Sequence, residues 1–309
     1  MRKIIGIGET ILDIIFRNGQ PTKAVPGGST FNTTISLGRL GTDVSLITEL
    51  GSDTIGDTIT SFMKENNVGT QYIDRYSAEE GKTPISLAFL DEDNNAHYSF
   101  YHQFPNDRLD VVWPRIDNDD IIIFGSYFSI NPLLRQRITD IIEYAQVRKA
   151  IIYYDPNSRA AHSHEAMKLM PAILENLEYA DIVRGSSEDF ETLFKQTDAE
   201  KTYRDNIKFY CPNFIYTRGG EGVELFCKTG HRHFDIEAGK PVSTIGAGDT
   251  FNAGILYGLI KHDITREKLY DLTTDEWAVI IDYALKFSAQ VCLSEENYLP
   301  AEYAAGYKL

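Results

Sequence analysis

The 309-residue chain reads as an α/β protein: a mostly parallel sheet with helices on both faces, and a small second sheet at its side. Three features lead there. Short β-rich apolar runs alternate with helical patterns along most of the length. Two strand pairs interrupt that alternation with no helix between their members. Apolar residues make up 42% and charged residues 24%, a globular composition that can bury a sizeable core without disulfides or metals. Length alone, at about 150 residues per domain, allows two domains. With no internal repeat and no low-complexity linker, we expect one domain over 1–309, with a lid formed by about 11–26 and 84–103 growing out of the core.

Taken in order, Ile4 to Gly8 is a buried strand, and Phe31, Ile35 and Leu40 lie on a helical stripe that stops at Gly41. A strand follows around Val44 to Ile47, then a helix marked by Ile55, Ile59, Phe62 and Met63. Later strands are expected at Ile121–Phe124, Ala150–Tyr154, Asp181–Val183 and Phe214–Thr217, with helices between them. Ile85–Leu90 and His97–Gln103 form a hairpin around the polar turn 91–95, and Ile11 to Val25 forms another around Asn18-Gly19. Together they predict a small antiparallel sheet able to cover a ligand.

The balance of 30 basic and 45 acidic residues gives a net charge of −15. That excludes a broad nucleic-acid surface, which needs a basic stripe. An anionic ligand must instead be held by local amides and a few arginines. Cys211, Cys227 and Cys292 are odd in number and far apart, which fits a reducing compartment. The apolar run at 1–6 is too short for a signal peptide, and no stretch reaches about 18 apolar residues. A cytoplasmic protein with no membrane partner is expected.

The most informative segment runs from Ser243 to Gly254. Gly246, Ala247 and Gly248 let the backbone turn tightly and approach a ligand closely. Phe251, Ile255 and Leu259 are spaced four apart, so a helix begins near Gly248. Its unpaired N–H groups and positive dipole end suit a migrating phosphoryl group, and Asp249 in its first turn can meet a substrate hydroxyl. The plainer alternative, that Asp249 only caps the helix, leaves three consecutive small residues unexplained.

Gly-Ala-Gly-Asp opening a late helix resembles the second signature of the ribokinase-like (PfkB) sugar kinases. The first signature is also present as Gly27-Gly28-Ser29-Thr30-Phe31-Asn32, followed by Leu37-Gly38-Arg39-Leu40-Gly41 and Gly51-Ser52-Asp53-Thr54-Ile55-Gly56-Asp57. The likeness runs through essentially the whole chain. It implies a ribokinase-like three-layer α/β/α fold with a mostly parallel central sheet and a small β-sheet lid. It also implies an ATP-dependent kinase acting on a sugar hydroxyl with Mg2+, with Asp249 as base and the amides of Gly246, Ala247 and Gly248 facing the charge that develops.

Read from the residues alone, Gly27-Gly28 allows close backbone approach to a sugar, and Asn32 offers a donor and an acceptor for hydroxyls. A tight turn with Asn32 capping the next helix is the alternative. The run Gly8 to Asp13 resembles the family's opening strand, which assigns Asp13 to sugar hydroxyls. Asp155-Pro156-Asn157-Ser158-Arg159 is similar to a run in fructokinases and 2-keto-3-deoxygluconate kinases. The likeness puts Asn157 near the nucleotide phosphates and Arg159 in the active-site region. Ser186-Ser187-Glu188-Asp189 stands where the family carries Asn-x-x-Glu, so Glu188 or Asp189 is the acidic member supporting magnesium through water. Thr217, Gly219 and Gly222 resemble the family's nucleotide-binding turn, although a glycine hairpin before Val223–Phe226 explains them as well. Phe287-Ser288-Ala289-Gln290 replaces an Asn that relatives carry beside adenine, and Ser243 replaces an Asp that relatives carry where a monovalent cation binds.

Other signals fail. Gly6-Ile7-Gly8 has Ile11 where a dinucleotide fingerprint needs its third glycine. Gly81-Lys82-Thr83 has Tyr76 where a phosphate loop needs its first glycine. His162/His164 and His231/His233 show no nearby metal ligands in sequence and read as solvated. Phe89, Tyr98, Phe100 and Tyr101 alternate as sheet packing does; the resemblance favours one face, with Tyr101, covering a sugar.

Fructokinase is the nearest pattern, from Gly125-Ser126, the Asp155–Arg159 run and Ser99-Phe100-Tyr101. His102 stands where fructokinases commonly carry Arg, which keeps ribose, 2-keto-3-deoxygluconate and nucleosides as alternatives. A catalytically idle sugar- or nucleotide-binding regulator is the alternative of another class, disfavoured because a pure binder needs no base at Asp249. The resemblance allows a homodimer paired through the lid.

Overall fold

A computed structural model describes residues 2–90, 96–158, 166–236, 239 and 241–309. The strands in chain order are β1 (Lys3–Ile7), β2 (Ile11–Arg17), β3 (Gln20–Gly27), β4 (Asp43–Gly51), β5 (Val68–Gly69), β6 (Ile73–Tyr76), β7 (Lys82–Leu90), β8 (Ala96–Gln103), β9 (Ile121–Gly125), β10 (Ile151–Asp155), β11 (Ile182–Ser186), β12 (Asn213–Thr217), β13 (Val223–Cys227) and β14 (Gly230–Phe234). The helices are α1 (Ser29–Arg39), α2 (Thr54–Glu65), α3 (Ser126–Ile130), α4 (Arg135–Val147), α5 (Ala166–Tyr179), α6 (Ser187–Phe194), α7 (Ala199–Thr202), α8 (Ala247–Lys261), α9 (Arg266–Leu269), α10 (Thr274–Cys292) and α11 (Ala301–Ala304). The turn 91–95, Arg159, His162 and His164 lie outside the described residues.

The large sheet has ten strands in the order β14-β13-β12-β11-β10-β9-β1-β4-β5, with β6 also on β4. Pairing is parallel from β5 through β12 and antiparallel for β13 and β14. Successive residues of its central strands point to opposite faces. Ile4, Ile121, Ile123, Ile151 and Tyr153 join one core, while Ile5, Ile122, Phe124, Ile152 and Tyr154 join the other. Both faces are covered, so these strands read as continuous apolar runs and not as alternating ones. On the first face pack Phe31 and Ile35 of α1, Phe251 and Ile255 of α8, and Trp277 and Ile281 of α10; on the second pack Ile138, Ile142 and Ala145 of α4. This is the three-layer α/β/α arrangement expected from the alternation.

Local chemistry sets the helix starts. Asp53 accepts from the Gly56 amide at 2.8 Å to begin α2. Thr273 and Glu276 form a capping box at α10.

The second sheet differs from expectation. Its four strands run β3-β2-β7-β8, and the two expected hairpins are there, but they join through a parallel β2–β7 pair that sets Leu12 opposite Ile85 and Asp13 opposite Ser86. The sheet is mixed, not antiparallel. The reason is topological: between β3 and β7 the chain passes through α1, β4, α2, β5 and β6, and a crossover of that length can return in either direction.

Helix α8 lies against α10 so closely that a Cβ on Gly254 would stand 2.3 Å from Ala284 Cα and 2.6 Å from its nitrogen. Helix propensity favours Ala over Gly by about 1 kcal/mol, but backbone atoms cannot yield as a side chain would. Gly254→Ala is therefore expected to destabilise the fold by about 1–3 kcal/mol, the range for overpacking. Thermal unfolding checks it: a raised Tm would show that propensity outweighs packing here.

Candidate active site

The parallel strands place the motifs. Glu9 follows β1, Ser126 follows β9, Asn157 follows β10, Glu188 follows β11 and Gly219 follows β12, all at carboxyl ends of strands. The chain first builds outward from β1 to β4 and then returns to lay β9 on the other side of β1. Such a switch point opens a crevice where ligands bind. Glu9 bridges it, accepting from the Ser126 hydroxyl at 2.9 Å on both carboxylate oxygens.

Helix α8 starts from Gly246, whose φ of 77° is left-handed, and no side chain caps it. Asp249 does not cap. Its carboxylate crosses to α1, accepting from Ser29 Oγ at 2.7 Å and Asn32 Nδ2 at 2.8 Å, while Thr33 Oγ1 donates to its carbonyl at 2.9 Å. Asn32 therefore does not cap α1 either; that position falls to Gly28, at φ 131°. A Cβ on Gly28 would sit 2.2 Å from the Glu9 carbonyl oxygen, which explains the glycine as a point of close backbone approach. Gly27 ends β3, and a Cβ there would meet the Asp13 carboxylate at 2.7 Å. Asp13 itself, half-buried, is hydrogen-bonded by Ser86, its partner across the parallel β2–β7 pair.

Asn157 joins the same cluster: its Nδ2 donates to Ser29 Oγ at 3.0 Å, one hydroxyl away from Asp249. Beneath lies a buried polar network. Arg184 of β11 donates to Asp155 Oδ2 at 3.1 Å and to Thr217 Oγ1 at 2.8 Å. Asn252 of α8 donates to the same Asp155 oxygen at 2.5 Å and accepts from the Tyr153 hydroxyl at 2.8 Å. Burial pushes the Asp249 carboxyl up to about 6; its bonds from Asn32 and Ser29 and the Arg184 charge hold it down, while Asp155 pushes it up.

The remaining expected residues fall in three groups. Thr217 is buried and its hydroxyl already serves Arg184, while Gly219, at φ 52°, stands in the open turn beyond it. Gly222 has φ 108°, and a Cβ there would lie 2.6 Å from the His233 ring, so the hairpin itself demands this glycine. Asp189 is buried in a capping box with Ser186 and accepts from the Ser158 amide at 2.6 Å; Glu188 is exposed. Tyr101, expected on the sugar face, lies 56% exposed on β8 opposite Ile85 and Leu12; strand alternation turns it to the face away from Asp13 and Ser86, where Phe100 stands instead. Among the described residues, no group of three or more His, Cys, Asp or Glu side chains is placed to hold a metal.

His231 and His233 are not simply solvated. Their rings lie 2.7 and 2.9 Å from the Glu224 carboxylate, which also accepts from Arg218 at 2.7 Å. The β13–β14 register, with Glu224 opposite His233, brings them together. Sequence reasoning missed this, and it missed Ser29, Arg184 and Asn252 as site residues. Ser29 and Asn252 sit inside the quoted signatures and were within reach; Arg184, in an apolar strand run, carried only the signal of a charge where a buried strand should be neutral.

Fold and cluster together bring a helix start that no side chain caps and a buried carboxylate to one crevice. Residues 1–301 match the sequence pattern of the pfkB family carbohydrate kinases, and the chain belongs to that family. It is thus a carbohydrate kinase. A fructokinase from Rhizobium leguminosarum bv. trifolii is 28% identical over 284 residues, covering 89% of this chain and 85% of its own. Among solved structures, aminoimidazole riboside kinase from Salmonella enterica, complexed with aminoimidazole riboside and an ATP analog, superposes with a TM-score of 0.81 at 19% identity, covering 99% of both chains. Fructokinase from Vibrio cholerae O395, in a form with fructose, ADP and calcium ion, does so with a TM-score of 0.81 at 19% identity, covering 100% of this chain and 99% of its own.

Were Asp249 to serve as a base, it would work only when deprotonated, and kcat/KM is then expected to fall about tenfold per pH unit on the acid side of its titration, which lies at about 6. Initial rates against pH check this; a limb near the unperturbed carboxylate range of about 4 would show that burial does not control Asp249.

Proposed function

We propose that this kinase transfers the γ-phosphoryl group of ATP to fructose, giving fructose 6-phosphate. The observation that carries the reading is the Asp249 carboxylate, which receives two hydrogen bonds from α1 at the opening of α8. Ser29 Oγ donates to it now as a sugar hydroxyl would in the complex. Asp249 orients that hydroxyl and takes its proton late, because a group titrating at about 6 is far too weak a base to ionise an alcohol beforehand. Most of the acceleration then comes from alignment and charge stabilisation.

A triphosphate fits the groups present. Helix α8 runs fifteen residues from a start at Gly246 that no side chain caps. The Ala247 amide, expected to face the phosphoryl group, donates to the Thr244 carbonyl at 3.2 Å, so the amides of Gly248 and Asp249 are the ones offered to an anion. The Arg184 guanidinium lies against Gly248. Asn157 and the open turn at Gly219 are the chain's offers to the nucleotide; Thr217 and Gly222 shape that turn from within. Magnesium, arriving with the nucleotide, would neutralise phosphate charge. Glu188 suits it through water, being exposed, whereas Asp189 is committed to its cap. The chain's own departure at Ser243 leaves no carboxylate there for a monovalent cation.

The second sheet acts in this reading as a lid. Asp13, Gly27, Gly28 and Asn32 line the sugar side, and Phe100, which shares the face of Asp13 and Ser86, is the aromatic of β8 placed to close over it and exclude water. Phe89, exposed and stacked on Phe16 at 4.8 Å, offers an aromatic patch for a homodimer on the face of the sheet opposite Phe100. No helix among the described residues is long and apolar enough to cross a membrane, and three unpaired cysteines suit the cytoplasm.

Fructose is favoured by the fructokinase relative and by the Asp155–Arg159 run. His102, which stacks on Phe104 at 5.2 Å, is the specific feature that favours another sugar. A coupled assay of ADP release over fructose, ribose, 2-keto-3-deoxygluconate and nucleosides decides between them: fructose should give the highest kcat/KM, and a higher value elsewhere replaces it. Binding without turnover for every acceptor would support the idle regulator. Asp249→Asn should lower kcat by about 10²–10⁴ with the fold kept, since the Ser29 hydroxyl can turn to accept from the new amide. Wild-type turnover in that variant would remove Asp249 from the chemistry.

A further inference from the structure

Arg184 touches three parts of the site at once. Nη1 donates to Asp155 at the end of β10, and Nη2 donates to Thr217 at the end of β12. The third contact is with α8: a Cβ on Gly248 would stand 3.0 Å from Nη1, 3.1 Å from Nη2 and 3.4 Å from Cζ, so the flat guanidinium lies against the first helical turn. The side chain is 7% exposed, and its buried Nε has no hydrogen-bond partner among the described residues. An ion pair as buried as Arg184–Asp155 is poor value for stability alone, because well-packed apolar residues do as well or better. Neutralising Asp155 would also need neither the bond to Thr217 nor the approach to Gly248.

We propose that Arg184 is a positioning residue for phosphoryl transfer: it sets the first turn of α8 against the ends of β10 and β12 and holds a fixed positive charge under the amides that receive the phosphoryl group. The inference rests on reading the 246–249 turn as the transfer site. It also explains why the third small residue before Asp249 is glycine: the arginine occupies the space of any side chain. The charged and titratable groups facing Arg184 are Asp155 and Tyr153 of β10 and Asp189 of α6; those facing Asp249 are Asp155 and Arg184. Arg184 is thus a buried cation set against a carboxyl that burial first, and Asp155 after it, push upward.

The test uses the full chain with Arg184→Met and Arg184→Lys, following kcat, sugar KM, the acid limb of the pH profile and Tm. Arg184→Met should lose about 10²-fold in kcat, the scale of one removed stabilising donor, with sugar KM within about threefold, the signature of a contact made in the transition state. Its acid limb should move to higher pH, because Asp249 loses the nearby cation. Arg184→Lys should recover part of the rate and return the limb toward the wild-type position. A folded Arg184→Met with wild-type kcat, or a loss that Lys does not relieve with an unmoved limb, overturns the inference. If Arg184→Met does not fold, the charge-neutral pair Arg184→Met with Asp155→Asn replaces it, read against Asp155→Asn alone; equal kcat in those two overturns it as well. The underlying reading fails separately, if Asp249→Asn keeps its turnover.

Discussion

A carboxylate taken out of water costs several kcal/mol unless donors replace its hydration. In this protein the donors to Asp249 come from the other end of the chain. Ser29 and Asn32 stand more than 200 residues away in sequence, and their hydrogen bonds fasten the start of α8 to the start of α1. The two glycine-bearing signatures are therefore halves of one structure, and neither makes a site without the other. Packing reinforces the bond, since α1, α8 and α10 share the core on one face of the large sheet.

The sheet supplies the second constraint. Parallel strands all end on the same side, so every loop that carries chemistry opens toward the same crevice. Asp155 shows how the layers are tied: it closes β10, accepts from Arg184 of β11 and from Asn252 of α8, and so links two strands to the helix that carries Asp249. Strand ends and helix starts thus fix the cluster around Asp249.

Charge is arranged against the overall field. The chain carries −15, yet its substrate is a phosphate donor, so the attraction has to be local. In the proposed function an uncapped helix start and one buried guanidinium provide it. Placed in a low-dielectric interior, these few groups act far more strongly than surface lysines would in water.

Much of this was legible in the residues themselves. Strand and helix alternation, the breaks at the two hairpins, the helix beginning near Gly248 and the small residues before Asp249 are local patterns, and local patterns are what backbone sterics and hydrophobic periodicity write into a sequence. What the tertiary structure alone decided is long-range. The parallel β2–β7 pairing follows from a crossover whose return direction no short segment encodes. The Glu224 clamp on His231 and His233 follows from strand register. The partner of Asp249, and the arginine that lies beneath it, depend on which side chains meet when distant strands and helices close on one another. Spacing along a chain fixes what a segment becomes; only packing determines what it touches.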